Sequence, residues 1–205
     1  MDVQRVMKTT RSLAFDLRIE CGLTSYKCSR GDHRQNQHHM ATKLVVDILV
    51  ESPRWSACRD AKPVLRRAIA AASAVAPTKA GELAIVLTDD SAMRGLNRAW
   101  RRKDAPTNVL SFPAKEPQAG RGVPRLMGDI VIAYETTMRE AKAEGKPFRH
   151  HLAHLAVHGF LHLSGYDHEG DDEADIMENL EIAVLKCLKV PNPYIARDTS
   201  AVIKS

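Results

Sequence analysis

The chain has 205 residues, 44% of them apolar and 27% charged, which is enough for one ordinary domain with or without a tail and too few for two separate cores. No stretch approaches the eighteen or so consecutive apolar residues that span a bilayer, since the longest weakly apolar run, Ala68–Ala76, is half that, and the normal apolar share excludes a disordered or fibrous chain. Thirty basic against 25 acidic residues give +5, a mild lean towards anionic partners, while four scattered cysteines without a C-x-x-C pair exclude a disulfide scaffold and point to a reducing, cytoplasmic setting.

Residues 1–39 read as a polar extension or a misassigned start, because aliphatic clusters are sparse and Met40 leads directly into a strand pattern. They hold seven basic and four acidic residues, so most of the net charge belongs to them and little to the domain expected over 40–205. They contain no compact apolar region for secretion, and Asp2, Asp16 and Glu20 argue against an organelle transit peptide. Cys21, Cys28, His33 and His38 fit no common zinc-finger spacing.

From there the pattern is regular. Leu44–Val50 (LVVDILV) predicts a buried strand. Pro63 suits the first turn of a helix that runs on to Pro77. Leu83–Leu87 predicts a second strand, and Thr88, Asp89 and Asp90 offer caps for a helix reaching about Arg101. Asn108–Phe112 and Asp129–Tyr134 predict two more strands around a Gly- and Pro-rich loop, Pro113–Pro124. Three helices follow, over about 135–144, 148–163 and 172–188. Strands come early and helices late, so the class is α+β rather than strict βαβ alternation.

Six of the nine histidines (150, 151, 154, 158, 162 and 168) fall within nineteen residues. On a helix from Arg149 to Leu163, His151, His154, His158 and His162 share one stripe under about 90° wide, and the rest of the circumference is apolar nearly all round, as in a buried helix. An unpaired polar group in a core costs roughly 1–3 kcal/mol, and a metal ion would satisfy such a row. His158 and His162 are one turn apart on one face, Gly165 permits a left-handed turn after them, and His168 can be carried back over both. H-x-x-x-H-x-x-G-x-x-H thus supplies three nitrogens and leaves a fourth tetrahedral position open, as in catalytic zinc sites. His154 lies about 12 Å from His162 along the helix and reads as a residue behind the ligands or a satisfied core group. His150 and His151 read as solvated residues of the helix start. The spacing matches the metzincin peptidases except at Gly159, which stands where they carry the glutamate base, so peptide hydrolysis is disfavoured.

The string His158-Gly159-Phe160-Leu161-His162-Leu163-Ser164-Gly165-Tyr166-Asp167-His168 resembles the signature of the YbeY family, the rRNA-processing endoribonucleases. Leu96–Arg101, Pro106–Phe112, Gly128-Asp129-Ile130, Val46-Asp47-Ile48 and Trp55 extend the resemblance over about 43–190. It implies a small α+β domain with a mixed sheet and a central helix carrying the first two histidines. The implied function is zinc-dependent cleavage of single-stranded RNA in small-subunit rRNA 3′-end maturation and ribosome quality control. One Zn2+ would be held by His158, His162 and His168, with Arg101 as a catalytic residue. The implied partners are precursor rRNA, the ribosomal small subunit and the Era GTPase, with no membrane.

Bound Zn2+ lowers the pKa of water from about 15.7 to about 7, and an arginine at 101 suits the growing charge of a phosphodiester. Arg98, Arg102 and Lys103 add a cluster suited to the RNA backbone, or equally a solvated helix end. Asp167 and Glu169 flank the third histidine, Asp167 as a candidate to orient a ligand, and Ser111 or Thr107 could approach from the strand. Met177, Leu180, Val184 and Leu188 read as core, and Asp171, Asp172 and Glu173 as the start of the last helix. Two alternatives stand beside the nuclease: a ribosome-assembly or RNA-binding factor with a structural metal, and a metzincin-like peptidase.

Overall fold

The structure, a computed structural model, describes residues 44–76, 81–114, 125–168 and 170–195. The polar segment 1–39, the four-residue zinc-finger candidate within it, most of the Pro113–Pro124 loop and Glu169 lie outside the described residues.

The β-branched run Leu44–Val50 is strand β1, a composition that fits a pleated, half-buried surface. A 3-10 turn over Pro53–Ala57 follows, capped by Ser52, whose Oγ accepts from Arg54 N. It buries Trp55, whose Nε1 donates to Thr88 O at 2.8 Å. Helix α1 (Ala61–Val75) starts two residues before Pro63 and buries Leu65, Ala68, Ile69 and Ala72, the i, i+3, i+4, i+7 stripe of an amphipathic helix. It crosses back so that β2 (Gly81–Thr88) pairs parallel with β1, Leu44 opposite Gly81 through Val50 opposite Leu87. Parallel strands need such a crossover.

Helix α2 (Asp90–Arg101) is capped by Asp89, whose Oδ1 accepts from Ala92 N at 3.0 Å, and it buries only Met93 and Asn97. The short β3 (Val109–Pro113) runs antiparallel to β4 (Leu126–Ala133), which pairs parallel with β2. The four strands stand in the order β1-β2-β4-β3, a mixed sheet. β4 begins three residues before the expected Asp129 and stops at Ala133; Tyr134 opens helix α3 (Tyr134–Ala143) instead. Helices α4 (Phe148–Leu163) and α5 (Asp171–Cys187) complete an α+β fold of four strands and five α-helices among the described residues.

Two apolar layers hold it together. Ile48, Leu83, Ile85, Leu87, Ile130 and Ile132 on one sheet face pack with α1, α4 and α5. Val86, Leu110, Val131 and Ala133 on the other face pack with Met93 and Leu96 of α2. β2 is buried almost throughout, as expected of a strand covered on both faces. The site depends on this division, because α2 and α4 sit on opposite sides of the sheet.

Candidate metal centre

Helix α4 is buried nearly all round, with Phe160 and Leu161 fully enclosed. Its close seat on the sheet depends on Gly159: a Cβ there would fall 2.9 Å from Ile130 Cγ2 and 3.1 Å from Ser111 Oγ, which donates to Gly159 O at 3.3 Å. Position 159 therefore faces the sheet. A side chain there would meet β3 and β4, which gives a packing reason for glycine where a metzincin has its base.

His158 and His162 lie about 100° and 60° round α4 from Gly159, both on one flank of its sheet contact. After Leu163 the chain reverses: Gly165 takes φ +93, Gly165 N donates to His162 O, and Tyr166 N donates to Leu161 O, both at 3.0 Å. That left-handed residue is the one the sequence marks as the turn. His168 is returned over the first two, with ring centroids 5.5 Å from His158 and 5.0 Å from His162. One ring nitrogen from each of the three lies within 4.8 Å of the other two, so the group could hold a metal ion.

The ring orientations fit that use. His158 Nδ1 stands 2.8 Å from Glu181 Oε1, and His162 Nδ1 stands 3.1 Å from Tyr166 O. Both partners only accept, so each Nδ1 carries the proton and each Nε2 keeps its lone pair. Those two bare nitrogens face one another at 3.1 Å, an arrangement without a bridging proton, and close to the edge of about 3.3 Å that nitrogens about 2.0–2.1 Å from a tetrahedral zinc would span. Burial first, then the neighbouring His158 and His168, push the pKa of His162 below the ordinary imidazole value, which favours the neutral ring a metal needs.

Behind the three histidines lies a residue that the sequence did not single out. Glu181 of α5 is 1% exposed and accepts from His158 Nδ1, from His154 Nε2 at 2.6 Å and from Tyr194 Oη at 2.5 Å. Burial pushes its carboxyl up, but the hydrogen bonds from His154, His158 and Tyr194 outweigh that and hold it at about 2. Burial, then the hydrogen bond to Glu181 and its charge, push the Tyr194 phenol well above its ordinary range. A carboxylate fixing the tautomer of a ligating imidazole is the usual support for such a site. The signal was present in the sequence: Glu181 sits four residues from both Met177 and Leu185 on the buried stripe of α5, and an acid on an apolar stripe needs partners.

His154 shares Glu181 with His158, which fits both its readings, as a residue behind the histidines and as a satisfied core group. His151 is a correction, because it is 5% exposed and its Nε2 lies 2.9 Å from Glu140 Oε2, which also accepts from Asn108 Nδ2. His150, beside it, is half-buried. The helix start is met by Glu140 of α3 and shares a cavity with the segment around Pro191–Pro193, to which Lys146 Nζ donates at Pro193 O, 2.9 Å away. A single-helix projection shows neither. Asp167 is largely exposed; its Oδ1 accepts from His168 N at 2.9 Å and stands 3.7 Å from His162 Nδ1.

Arg98, Arg101, Arg102 and Lys103 are all exposed at the end of α2, on the other side of the sheet from α4. No hydrogen bond or salt bridge joins Arg101 to the histidines among the described residues. Between the two groups runs β3, an edge strand.

The family model described as Endoribonuclease YbeY matches residues 54–189, which include all three histidines, Gly159, Gly165 and Glu181. The chain belongs to the YbeY family. A curated relative from Rhodopseudomonas palustris (strain BisA53), named Endoribonuclease YbeY, is 55% identical over 156 residues, 74% of this chain and 91% of the relative. One of the same name from Nitrobacter winogradskyi is 50% identical over 181 residues, 86% of this chain and 95% of its own. A solution structure of a Thermotoga maritima protein aligns over 78% of this chain and 100% of its own, at 22% identity and a TM-score of 0.46. The YbeY match begins inside the 3-10 turn and ends just after α5, so Tyr194, which closes the support behind the YbeY histidines, lies outside it. No helix among the described residues is long and apolar enough to cross a membrane.

Proposed function

We propose that the protein is a zinc-dependent endoribonuclease that cuts single-stranded RNA and acts in small-subunit rRNA 3′-end maturation and ribosome quality control. Its partners in this reading are precursor rRNA, the ribosomal small subunit and the Era GTPase, and its compartment is the cytoplasm. The observation that carries the reading is the convergence of three imidazole nitrogens within 4.8 Å in a chain whose relatives bear the endoribonuclease name.

His158, His162 and His168 would hold the ion, and Glu181 and the Tyr166 carbonyl keep the Nδ1 protons in place so that Nε2 of His158 and His162 face the site. Zinc, when bound, supplies a Lewis acid and lowers the pKa of a coordinated water to about 7. Arg101 would meet the phosphodiester with a forked, charge-assisted contact that strengthens as negative charge grows. Arg98, Arg102 and Lys103 would hold the backbone as sequence-independent contacts.

Zinc content and cleavage of a synthetic single-stranded RNA, measured on one preparation, test the reading. The native protein carries one zinc per chain and cuts; His162→Ala loses both; Arg101→Ala retains zinc and loses turnover. Full cleavage by a folded, metal-free preparation would defeat the proposal, and RNA binding without cleavage by the zinc-loaded protein would point to an assembly factor instead.

A further inference from the structure

Of the two tryptophans, Trp55 is 3% exposed and hydrogen-bonded, whereas Trp100 on α2 is 54% exposed. Trp100 is nevertheless held, because its ring makes an edge contact with Phe112 of β3, centroids 5.6 Å apart at 63°. Its surroundings are fixed too. Buried Asn97 donates from Nδ2 to Ala105 O at 2.7 Å and its backbone carbonyl accepts from Lys103 N at 3.3 Å, while Arg102 turns the chain in the left-handed conformation, φ 58. The acid in this segment, Asp104, is occupied by Arg94 through two contacts of 2.7 and 2.8 Å. Arg98, Arg101, Arg102 and Lys103 are exposed and make no salt bridge among the described residues. A half-open indole amid four exposed cations, of which only Arg98 feels a nearby acid, Asp104, is the chemistry of a single-stranded nucleic-acid site, where charge follows the backbone and an aromatic ring takes a base. Protein–protein contact cores are instead depleted of charge.

Phe112 ties this place to the histidines. Successive side chains on a strand point to opposite faces: Ser111 reaches Gly159 O of α4, and the next residue, Phe112, supports Trp100 on the α2 side. β3, β4 and the end of α4 meet at Gly128, where a Cβ would fall 2.2 Å from Phe112 O and 3.0 Å from Leu163 Cδ2. β3 is the sheet edge, with nothing paired beyond it among the described residues.

We propose that Trp100 is a stacking platform for one base of a single-stranded RNA whose backbone lies along Arg98–Lys103 and passes over the β3 edge to the histidine site. This rests on the RNA-cleaving reading above.

The test uses the full-length zinc-loaded protein, a cleavage-resistant 2′-O-methyl octaadenylate, and an abasic octamer of the same charge. The octaadenylate quenches native tryptophan fluorescence and binds more tightly than the abasic octamer. Trp100→Phe keeps a ring, so it holds the affinity and loses the quench. Trp100→Ala weakens octaadenylate binding by about 5- to 150-fold and leaves abasic binding unchanged. Equal affinity for both octamers with no quench overturns the platform while leaving the RNA reading intact. Failure of both octamers to bind overturns both readings. Self-association of the native protein that Trp100→Ala abolishes, with octamer affinity unaltered, assigns the surface to a second copy and overturns the proposal.

Discussion

Gly159 shows how one residue can be read for its chemistry and explained by its packing. In the sequence it is a missing base beside the first ligand; in the structure it is the point where α4 touches Ile130 and Ser111. Gly159→Ala forces those neighbours apart, and a loss of about 1–3 kcal/mol in urea unfolding is expected, as for other overpacked contacts. Asp129 makes a second case at this scale. Burial raises its carboxyl pKa, and its neighbour across the strand pair is Phe112. The folded pKa lies above the unfolded one, so this group's contribution is complete below the unfolded value and is lost as pH rises through the folded value. Asp129→Asn accordingly raises the melting temperature at pH 7, by a margin that shrinks as pH falls towards 4. An unchanged melting temperature at both pH values would show that the carboxyl is not desolvated.

At the scale of elements, long apolar periodic segments were legible and their edges and neighbours were not. The helix expected over about 148–163 has the bounds Phe148–Leu163. Which of its histidines are wet could not be drawn, since His151 is buried and meets Glu140 of α3, outside its own helix. Glu181 could have been flagged as an acid on the buried stripe of α5, but its partners could not, because they come from α4 and from Tyr194. Its role is testable apart from catalysis. Glu181→Gln removes the charge that accepts from His154, His158 and Tyr194, and zinc affinity by calorimetry should fall about 10- to 100-fold. Native affinity with native stability in that variant would make Glu181 a bystander.

For the whole molecule, strand-before-helix order gave the class, and the resemblance added the mixed sheet. The parallel pairing of β1, β2 and β4 comes instead from the α1 crossover and the long path between β2 and β4, connections that composition does not encode. The same topology sets α2 and α4 on opposite faces, so the basic cluster and the histidines, adjacent in a reading by motif, are separated by the β3 edge. The proposed centre is narrower than the fold: three imidazoles, two from successive turns of α4 and one returned by Gly165, would hold one ion. X-ray absorption at the zinc edge of the loaded protein tests it most directly. The account predicts a nitrogen and oxygen shell at about 2.0–2.1 Å with outer-shell scattering from three imidazoles, reduced to two in His168→Ala. A sulfur shell near about 2.3 Å, or a native spectrum unaltered in that variant, would contradict it.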